Sequence, residues 1–333
     1  MATCKVFDPY PKGSRDNFYD REDVLDKVER LAEGRFWPLL LGPKRVGKTS
    51  IMKIATKELG GVYIDATGIT SIRELGSLLI QNLQTFSVQI DLKLFKIEVQ
   101  KKPLNTIQTL LSKLDDTLVA VDEIQNISTP WLIPLFSTAY NSSNVRFMFT
   151  GSMIGLSKVL IGQSGAGRIA KQFKGRPIVE VDMEPFNEEE SADYLRYGAK
   201  KCDIKISEQE ISDAAATYRG IVGWLTYYGN LRAIGYNHQQ AKQTLHKIAQ
   251  GIIADEYSQL SPLQKTVLKA LTLVDQAGWT DLKKLCEALK KATIEDAAFN
   301  HALQQLVNAK IARKHQEKYS LIDPMYNLAK NLK

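Results

Sequence analysis

The residues best suited to chemistry lie in Gly42-Pro43-Lys44-Arg45-Val46-Gly47-Lys48-Thr49. Their types and spacing fit G-x-x-x-x-G-K-[ST] at every fixed position. In such a loop the glycines let the backbone wrap, with its N–H groups turned onto phosphate oxygens. Lys48 is placed to reach the β- and γ-phosphates of a nucleotide, and the Thr49 hydroxyl to ligate Mg²⁺. A helix opening at Lys48 points its positive N-terminus at the same phosphates. Nucleotide contacts are therefore expected from Gly42, Pro43, Lys44, Arg45, Val46, Gly47, Lys48, Thr49 and Ser50, with ATP and Mg²⁺ as the bound groups.

Leu118-Val119-Ala120-Val121-Asp122-Glu123 is an apolar strand pattern that ends in two acids. Ligands of open α/β sheets bind at that end of a strand. Asp122 is expected to hold Mg²⁺, usually through water. Glu123 is expected to orient and deprotonate an attacking water, which favours hydrolysis over transfer. A further apolar run, Phe147-Met148-Phe149, leads into Thr150-Gly151-Ser152. Thr150 or Ser152 is a candidate to touch the γ-phosphate or the lytic water; the alternative is a strand end capped by small turn residues. Arg168, in Gly165-Ala166-Gly167-Arg168, is a candidate for stabilising γ-phosphate charge, in cis or across a subunit interface. Arg176 competes for that role. The catalytic set is thus Lys48, Glu123, Thr150 and Arg168. The four histidines show no metal spacing, and His238 and His246 are expected at the surface.

These groups need a sheet to present them. Strand patterns are expected at Phe36–Leu41, Gly61–Asp65, Leu118–Val121, Val145–Phe149 and Pro177–Val181, and helical patterns from Lys48, at Ser71–Leu83 and at Pro103–Leu114. This alternation predicts an α/β fold, a mostly parallel sheet with helices on both faces. The segment Phe86–Lys101 is left open between strands and an insertion. After Pro185 the pattern turns helical. Capping-box pairs stand at Asn187/Glu190 and Ser207/Glu210, and Gly220 ends the second helix. Ser261-Pro262 opens a further set of helices at Leu263–Val274, Leu282–Leu289 and Ile294–Asn308. Two short strand patterns follow, Ile311–Lys314 and Tyr319–Ile322. Three helices and a basic hairpin suggest a winged helix-turn-helix. The domains expected are a P-loop core over 1–185, a helical lid over 186–255 and a winged helix over 256–333.

The 333 residues carry 44 Lys and Arg against 37 Asp and Glu, a net charge of +7. Residues 256–333 hold 12 Lys and Arg and 8 Asp and Glu, so +4 of that charge sits in the last quarter. A basic C-terminal module fits a nucleic-acid partner; a solvated lysine-rich surface is the plainer alternative. On the helix Ile294–Asn308, residues Asn300, Gln304 and Asn308 share the polar side, with His301 beside them. Amide side chains suit adenine edges. Arg313, Lys314, His315 and Lys318 lie on the hairpin, where a wing meets phosphate. Double-stranded DNA is the expected partner, read by Asn300, His301, Gln304, Arg313, Lys314 and Lys318; the alternative is a module that docks on protein. Trp224, Tyr227 and Tyr228 read as core packing rather than a base-stacking platform. Three cysteines, Cys4, Cys202 and Cys286, are far apart in sequence, and no disulfide is expected. No apolar run is long enough for a membrane span, and Met1–Lys12 has no hydrophobic stretch of the secretory kind. A reduced, cytoplasmic protein is expected.

With these motifs in order, the chain resembles the archaeal ATPase family of AAA+/STAND P-loop NTPases over about residues 7–325. The resemblance opens at Phe18-Tyr19-Asp20-Arg21-Glu22, similar to the family's F-[FYV]-[DG]-R-E. It runs through Gly42–Thr49, Asp122-Glu123, Thr150-Gly151-Ser152, Gly167-Arg168 and Glu184-Pro185-Phe186, to Gly220-Ile221-Val222-Gly223-Trp224-Leu225. It implies an ATP-binding and ATP-hydrolysing core, a helical lid and a C-terminal winged helix, with Arg21 and Glu22 near the base pocket. It implies a switch in which the lid closes on ATP and relaxes on ADP, with a protein partner or a homo-oligomer as further possibilities. Val222 stands where the family has proline, Arg219 replaces the first glycine of that motif, and Ala166 replaces the aromatic before Gly167. Two other readings are a replication-initiator-like DNA-binding ATPase and a nucleotide-gated protein scaffold with little turnover. Gly220–Leu225 has no arginine of the kind the initiators aim at the γ-phosphate.

Overall fold

The computed structural model describes residues 4–69, 71–85, 92–124, 135, 139–141, 145–151 and 177–332. The chain forms two compact units. One comprises Pro11–Gly42 and Lys48–Met183; the other comprises Met1–Tyr10, Pro43–Gly47 and Glu184–Lys333.

The first unit is built on a five-stranded parallel sheet. Its strands are β1 (Trp37–Leu41), β2 (Gly61–Asp65), β3 (Leu118–Asp122), β4 (Arg146–Thr150) and β5 (Ile178–Asp182), in the order β2-β3-β4-β1-β5. Every residue of β1, β3 and β4 is buried. Strands covered on both faces read as continuous apolar runs, and that is why these three were legible as sequence. β2 and β5 lie at the edges and are only partly buried. Among the described residues the helices of this unit are α1 (Glu22–Glu33), α2 (Lys48–Glu58), α3 (Ile72–Thr85), α4 (Leu92–Lys101) and α5 (Pro103–Lys113). α1 turns Leu25, Val28 and Ala32 inward, the spacing of one helical face. Pro103 begins α5, where its missing N–H costs nothing. The undecided stretch Phe86–Lys101 is helical from Leu92; residues 86–91 lie outside the described residues. Phe95 and Val99 on α4 join the same core as Leu79 and Leu110, so Leu92–Lys101 is a packed helix rather than a strand.

The second unit is helical up to Leu271: α6 (Glu188–Lys201), α7 (Glu208–Tyr218), α8 (Val222–Ala233), α9 (His238–Ser258) and α10 (Pro262–Leu271). Reciprocal capping boxes form at Asn187/Glu190, Ser207/Glu210, Asn237/Gln240 and Ser261/Gln264. Each satisfies N–H groups that a helix start leaves orphaned. Then come β6 (Ala277–Gly278), α11 (Trp279–Lys290), α12 (Asp296–Asn308), β7 (Ala312–His315), β8 (Lys318–Leu321) and a 3₁₀ segment, Pro324–Asn331. The three strands form an antiparallel sheet, β6-β8-β7. His315 pairs with Lys318, and Gln316 and Glu317 between them both have positive φ, the signature of a tight two-residue hairpin. Trp224 and Tyr228 are fully buried, as core packing requires.

Two expectations are corrected here. Cys4 and Cys202 form a disulfide that ties the N-terminal segment to the C-cap of α6. Their sequence separation of 198 residues hid the pair; folding of the N-terminal segment against α6 brings them together. Val6 and Phe7 are buried there, and the Phe7 ring occupies space left by Gly198 and Gly229. His238 is not a plain surface residue. It lies half-buried between the Tyr228 hydroxyl and the Asp213 carboxylate, 2.9 Å from each. The third cysteine, Cys286, is a buried free thiol, and burial pushes it up to about 12. A thiol-reactive probe is therefore expected to label nothing in the folded, unreduced protein, and one cysteine per chain in denaturant. Labelling of all three in denaturant without reductant would remove the disulfide.

Candidate nucleotide site

All strands of the sheet are parallel, so their carboxyl ends lie on one edge. β1 ends at Leu41 and hands the chain to Gly42. β3 ends at Asp122 and β4 at Thr150. Register aligns them: Leu40 is opposite Thr150, Phe149 opposite Val121, and Asp122 opposite Asp65. Three segments far apart in sequence thus meet at one edge.

The loop residues show why the glycines are needed. A Cβ on Gly42 would stand 2.4 Å from the Met183 carbonyl oxygen. Gly47 has φ +98°, a conformation side chains avoid. Lys48 opens α2 and is buried, 7% exposed. Its ammonium donates to the Gly42 carbonyl at 3.0 Å, closing the loop on itself. A buried ammonium is driven to gather anionic oxygens. The Ser50 hydroxyl accepts from the Lys12 N–H at 3.0 Å.

Asp122, 3% exposed, is the hub. Its Oδ2 accepts from the Thr49 hydroxyl at 2.8 Å and from the Tyr63 hydroxyl at 2.8 Å. Its Oδ1 accepts from the Thr150 hydroxyl and from the Glu123 N–H. The Glu123 N–H also donates to Thr150 Oγ1 at 3.0 Å. Glu123 itself has φ +52°, a left-handed backbone that is uncommon for a non-glycine residue and persists where surroundings over-determine it. Thr150 is fully buried and engages the acid pair, so its placement serves Asp122 and Glu123 directly.

Tyr63 was not among the residues singled out from the sequence. Nothing in its spacing marks it; the pairing of β2 with β3 brings its phenol to Asp122. Burial and then the Asp122 charge push the phenol pKa up, so it remains a donor across the neutral range. Arg21 stands at the N-cap of α1, with its N–H donating to the Glu22 carboxylate at 3.0 Å. Ser152, Arg168 and Arg176 lie outside the described residues. Asn300, His301, Gln304, Arg313, Lys314 and Lys318 all belong to the other unit and are exposed there.

Among the described residues no three His, Cys, Asp or Glu side chains cluster as a metal site. The oxygens on hand are one carboxylate and one hydroxyl, Asp122 and Thr49. That set fits Mg²⁺, which keeps several waters and takes one or two protein oxygens together with phosphates.

A model of the AAA domain matches residues 36–192, from the start of β1 into α6. That match takes in the P-loop, the acid pair and the parallel strands described above, and the sheet is that of a P-loop NTPase fold. Among solved structures the chain is similar to a Walker-type ATPase of Pyrococcus abyssi, with 26% identity and a TM-score of 0.85, over 98% of this chain and 100% of that one. It is also similar, more loosely, to the RuvB Holliday junction branch migration motor of Thermotoga maritima (14% identity, TM-score 0.48, 94% and 96% covered). Domain III of the DnaA replication initiation protein of the same organism matches at 13% identity and TM-score 0.44, over 73% and 96%. These two likenesses are too loose to bear on function. No curated protein sequence matches the chain. Among the described residues no helix is long and apolar enough to cross a membrane.

The geometry of the loop sets an expectation for stability. Gly42→Ala forces a methyl group against the Met183 backbone, and is expected to cost about 1–3 kcal/mol. Urea unfolding measures this; an unchanged midpoint would mean that the loop has room the structure does not show.

Proposed function

We propose that the protein is an Mg²⁺-dependent ATP hydrolase of the AAA type whose C-terminal elements carry nucleotide state to double-stranded DNA. The observation that carries the first half is the Asp122 carboxylate. It joins the P-loop threonine on one oxygen and the backbone of Glu123 on the other. Phosphates would lie on Gly42–Thr49, with Lys48 and Ser50 among the contacts, and Thr49 and Asp122 would hold Mg²⁺. The bound ion supplies charge neutralisation to the phosphate oxygens. Glu123 takes the proton of the attacking water, and Thr150 keeps the Glu123 backbone in place. Arg21 is assigned to the base side. Arg168 is assigned to γ-phosphate charge.

The second half rests on the C-terminal elements of the chain. We read 1–185 as the ATPase core, 186–255 as a helical lid and 256–333 as a winged helix-turn-helix, with α12 as the recognition helix and β7–β8 as the wing. The segment Pro324–Asn331 packs against α7, α9 and α10, while Asn300, His301, Gln304, Arg313, Lys314 and Lys318 remain exposed. Docking through one side and exposure of the amide and basic side support DNA binding over a purely protein-docking role. In this reading ATP and ADP states differ in how the module is presented to DNA, in a switch of the STAND kind, in the cytoplasm.

Two experiments test the halves separately. Lys48→Ala is expected to abolish tight ATP binding, and Glu123→Gln to bind ATP but hardly hydrolyse it, seen by calorimetry and phosphate release. Equal turnover of wild type and Glu123→Gln would remove Glu123 from its role. Duplex DNA binding is expected to weaken steeply with salt. Replacing Arg313, Lys314 and Lys318 with alanine is expected to flatten the log–log slope by about 0.9 for each DNA phosphate that is no longer neutralised. Binding with no salt slope would instead favour a protein-binding module.

A further inference from the structure

The residues between the two P-loop glycines pack with the C-terminal unit. Arg45 is their centre. Its backbone is left-handed, φ +66°, and its carbonyl accepts from the Gly223 N–H at 2.9 Å, at the start of α8. Its guanidinium stacks on the Trp224 ring, 4.4 Å from the centroid. It also donates to Glu256 Oε1 at 2.5 Å on α9 and to Asp323 Oδ2 at 3.4 Å, just before the 3₁₀ segment.

Those two carboxylates are themselves held. Asp323, whose side chain is 2% exposed, takes the Trp224 indole N–H on both oxygens, at 3.0 and 2.9 Å, and the Met325 N–H on Oδ1 at 2.9 Å. Glu256 takes the Tyr326 hydroxyl on Oε2 at 2.6 Å and pairs with Lys44 at 3.3 Å. Two loop cations therefore face two acids that are locked in turn by aromatic donors. The P-loop pattern requires nothing at positions 44 and 45, so phosphate chemistry alone does not explain this network. A left-handed arginine persists only where its surroundings over-determine it. Here the surroundings are α8, α9 and the segment after Asp323.

We propose that Asp323 and Glu256 are positioning residues for nucleotide phosphates. They hold Arg45, and through it the backbone of the phosphate-binding loop, so that nucleotide affinity depends on the docked C-terminal segment. This rests on the reading of Gly42–Thr49 as a nucleotide site. The network pre-organises the loop, so loosening it weakens nucleotide binding. Linkage makes the coupling reciprocal: nucleotide in the loop tightens the C-terminal segment.

The test uses the full chain, with ATP and Mg²⁺ as the probe. Asp323→Asn keeps an acceptor for Met325 and Trp224 and removes the charge facing Arg45. It is expected to weaken ATP binding about tenfold by calorimetry, with Glu256→Gln acting in the same direction. Lys330→Ala, an exposed change in the same segment, is expected to bind as wild type does. Arg45→Met is expected to weaken binding too, and combining it with Asp323→Asn to add little, because both break one interaction. Hydrogen exchange supplies a readout independent of turnover. ATP is expected to slow exchange over Pro324–Asn331 in wild type and not in Asp323→Asn. If Asp323→Asn fails to fold, Glu256→Gln, at the more exposed edge of the network, carries the same test. Affinities within twofold of wild type in both acid variants, or fully additive losses with Arg45→Met, would overturn the proposal. A wild-type chain that binds no ATP would instead overturn the nucleotide site itself.

Discussion

One buried carboxylate organises the candidate site. Asp122 receives four donors, from α2, β2, β4 and the backbone of its own next residue. Each donor would be costly to strand, because a buried polar group without a partner pays its full desolvation. The four bonds also act together, since a satisfied network in a low-dielectric interior is stiffer than its separate pairs. The result is that P-loop, acid pair and the end of β4 cannot shift independently. The ion site proposed here would need that stiffness.

The sheet supplies the frame for this carboxylate. β1, β3 and β4 are buried at every position, so their registers are set by packing on both faces. A slip of one residue would turn Asp122 to the opposite side of the sheet. The left-handed backbone at Glu123 runs against local preference. Its N–H donates to the Thr150 hydroxyl, which holds it at the end of β3. Strain of this kind is what a site imposes on a chain rather than what the chain would choose.

The loop between Gly42 and Lys48 has a second set of obligations. Its central residues bond within the C-terminal unit, through an ion network closed by Trp224 and Tyr326. Burying two acids and their cations is expensive, and a well-packed apolar cluster would often serve stability as well. What the charged version provides is one defined placement for Arg45. The disulfide from Cys4 to Cys202 and the Phe7 ring over Gly198 and Gly229 add further ties within the same unit.

Much of this was legible in the chain itself. The P-loop and the acid pair are local patterns whose chemistry follows from residue type and spacing. All five parallel strands are legible to within a residue or so at each end, because their apolar residues cluster in short runs that turns punctuate. Capping pairs marked Asn187 and Ser207 as helix starts, since the cap and its partner are three residues apart, and Pro262 after Ser261 marked a third. Local signals end there. The phenol of Tyr63 reaches Asp122 only through the pairing of β2 with β3, and Cys4 meets Cys202 across 198 residues. Arg45, Trp224, Glu256 and Asp323 carry no shared motif, and their network exists because separate helices pack. Sequence alone determined which residues could bind phosphate and where the strands run, because those depend on neighbours along the chain. Tertiary structure alone decided which side chains hold those residues in place, because such partners are chosen by distance in space and leave no period in the sequence.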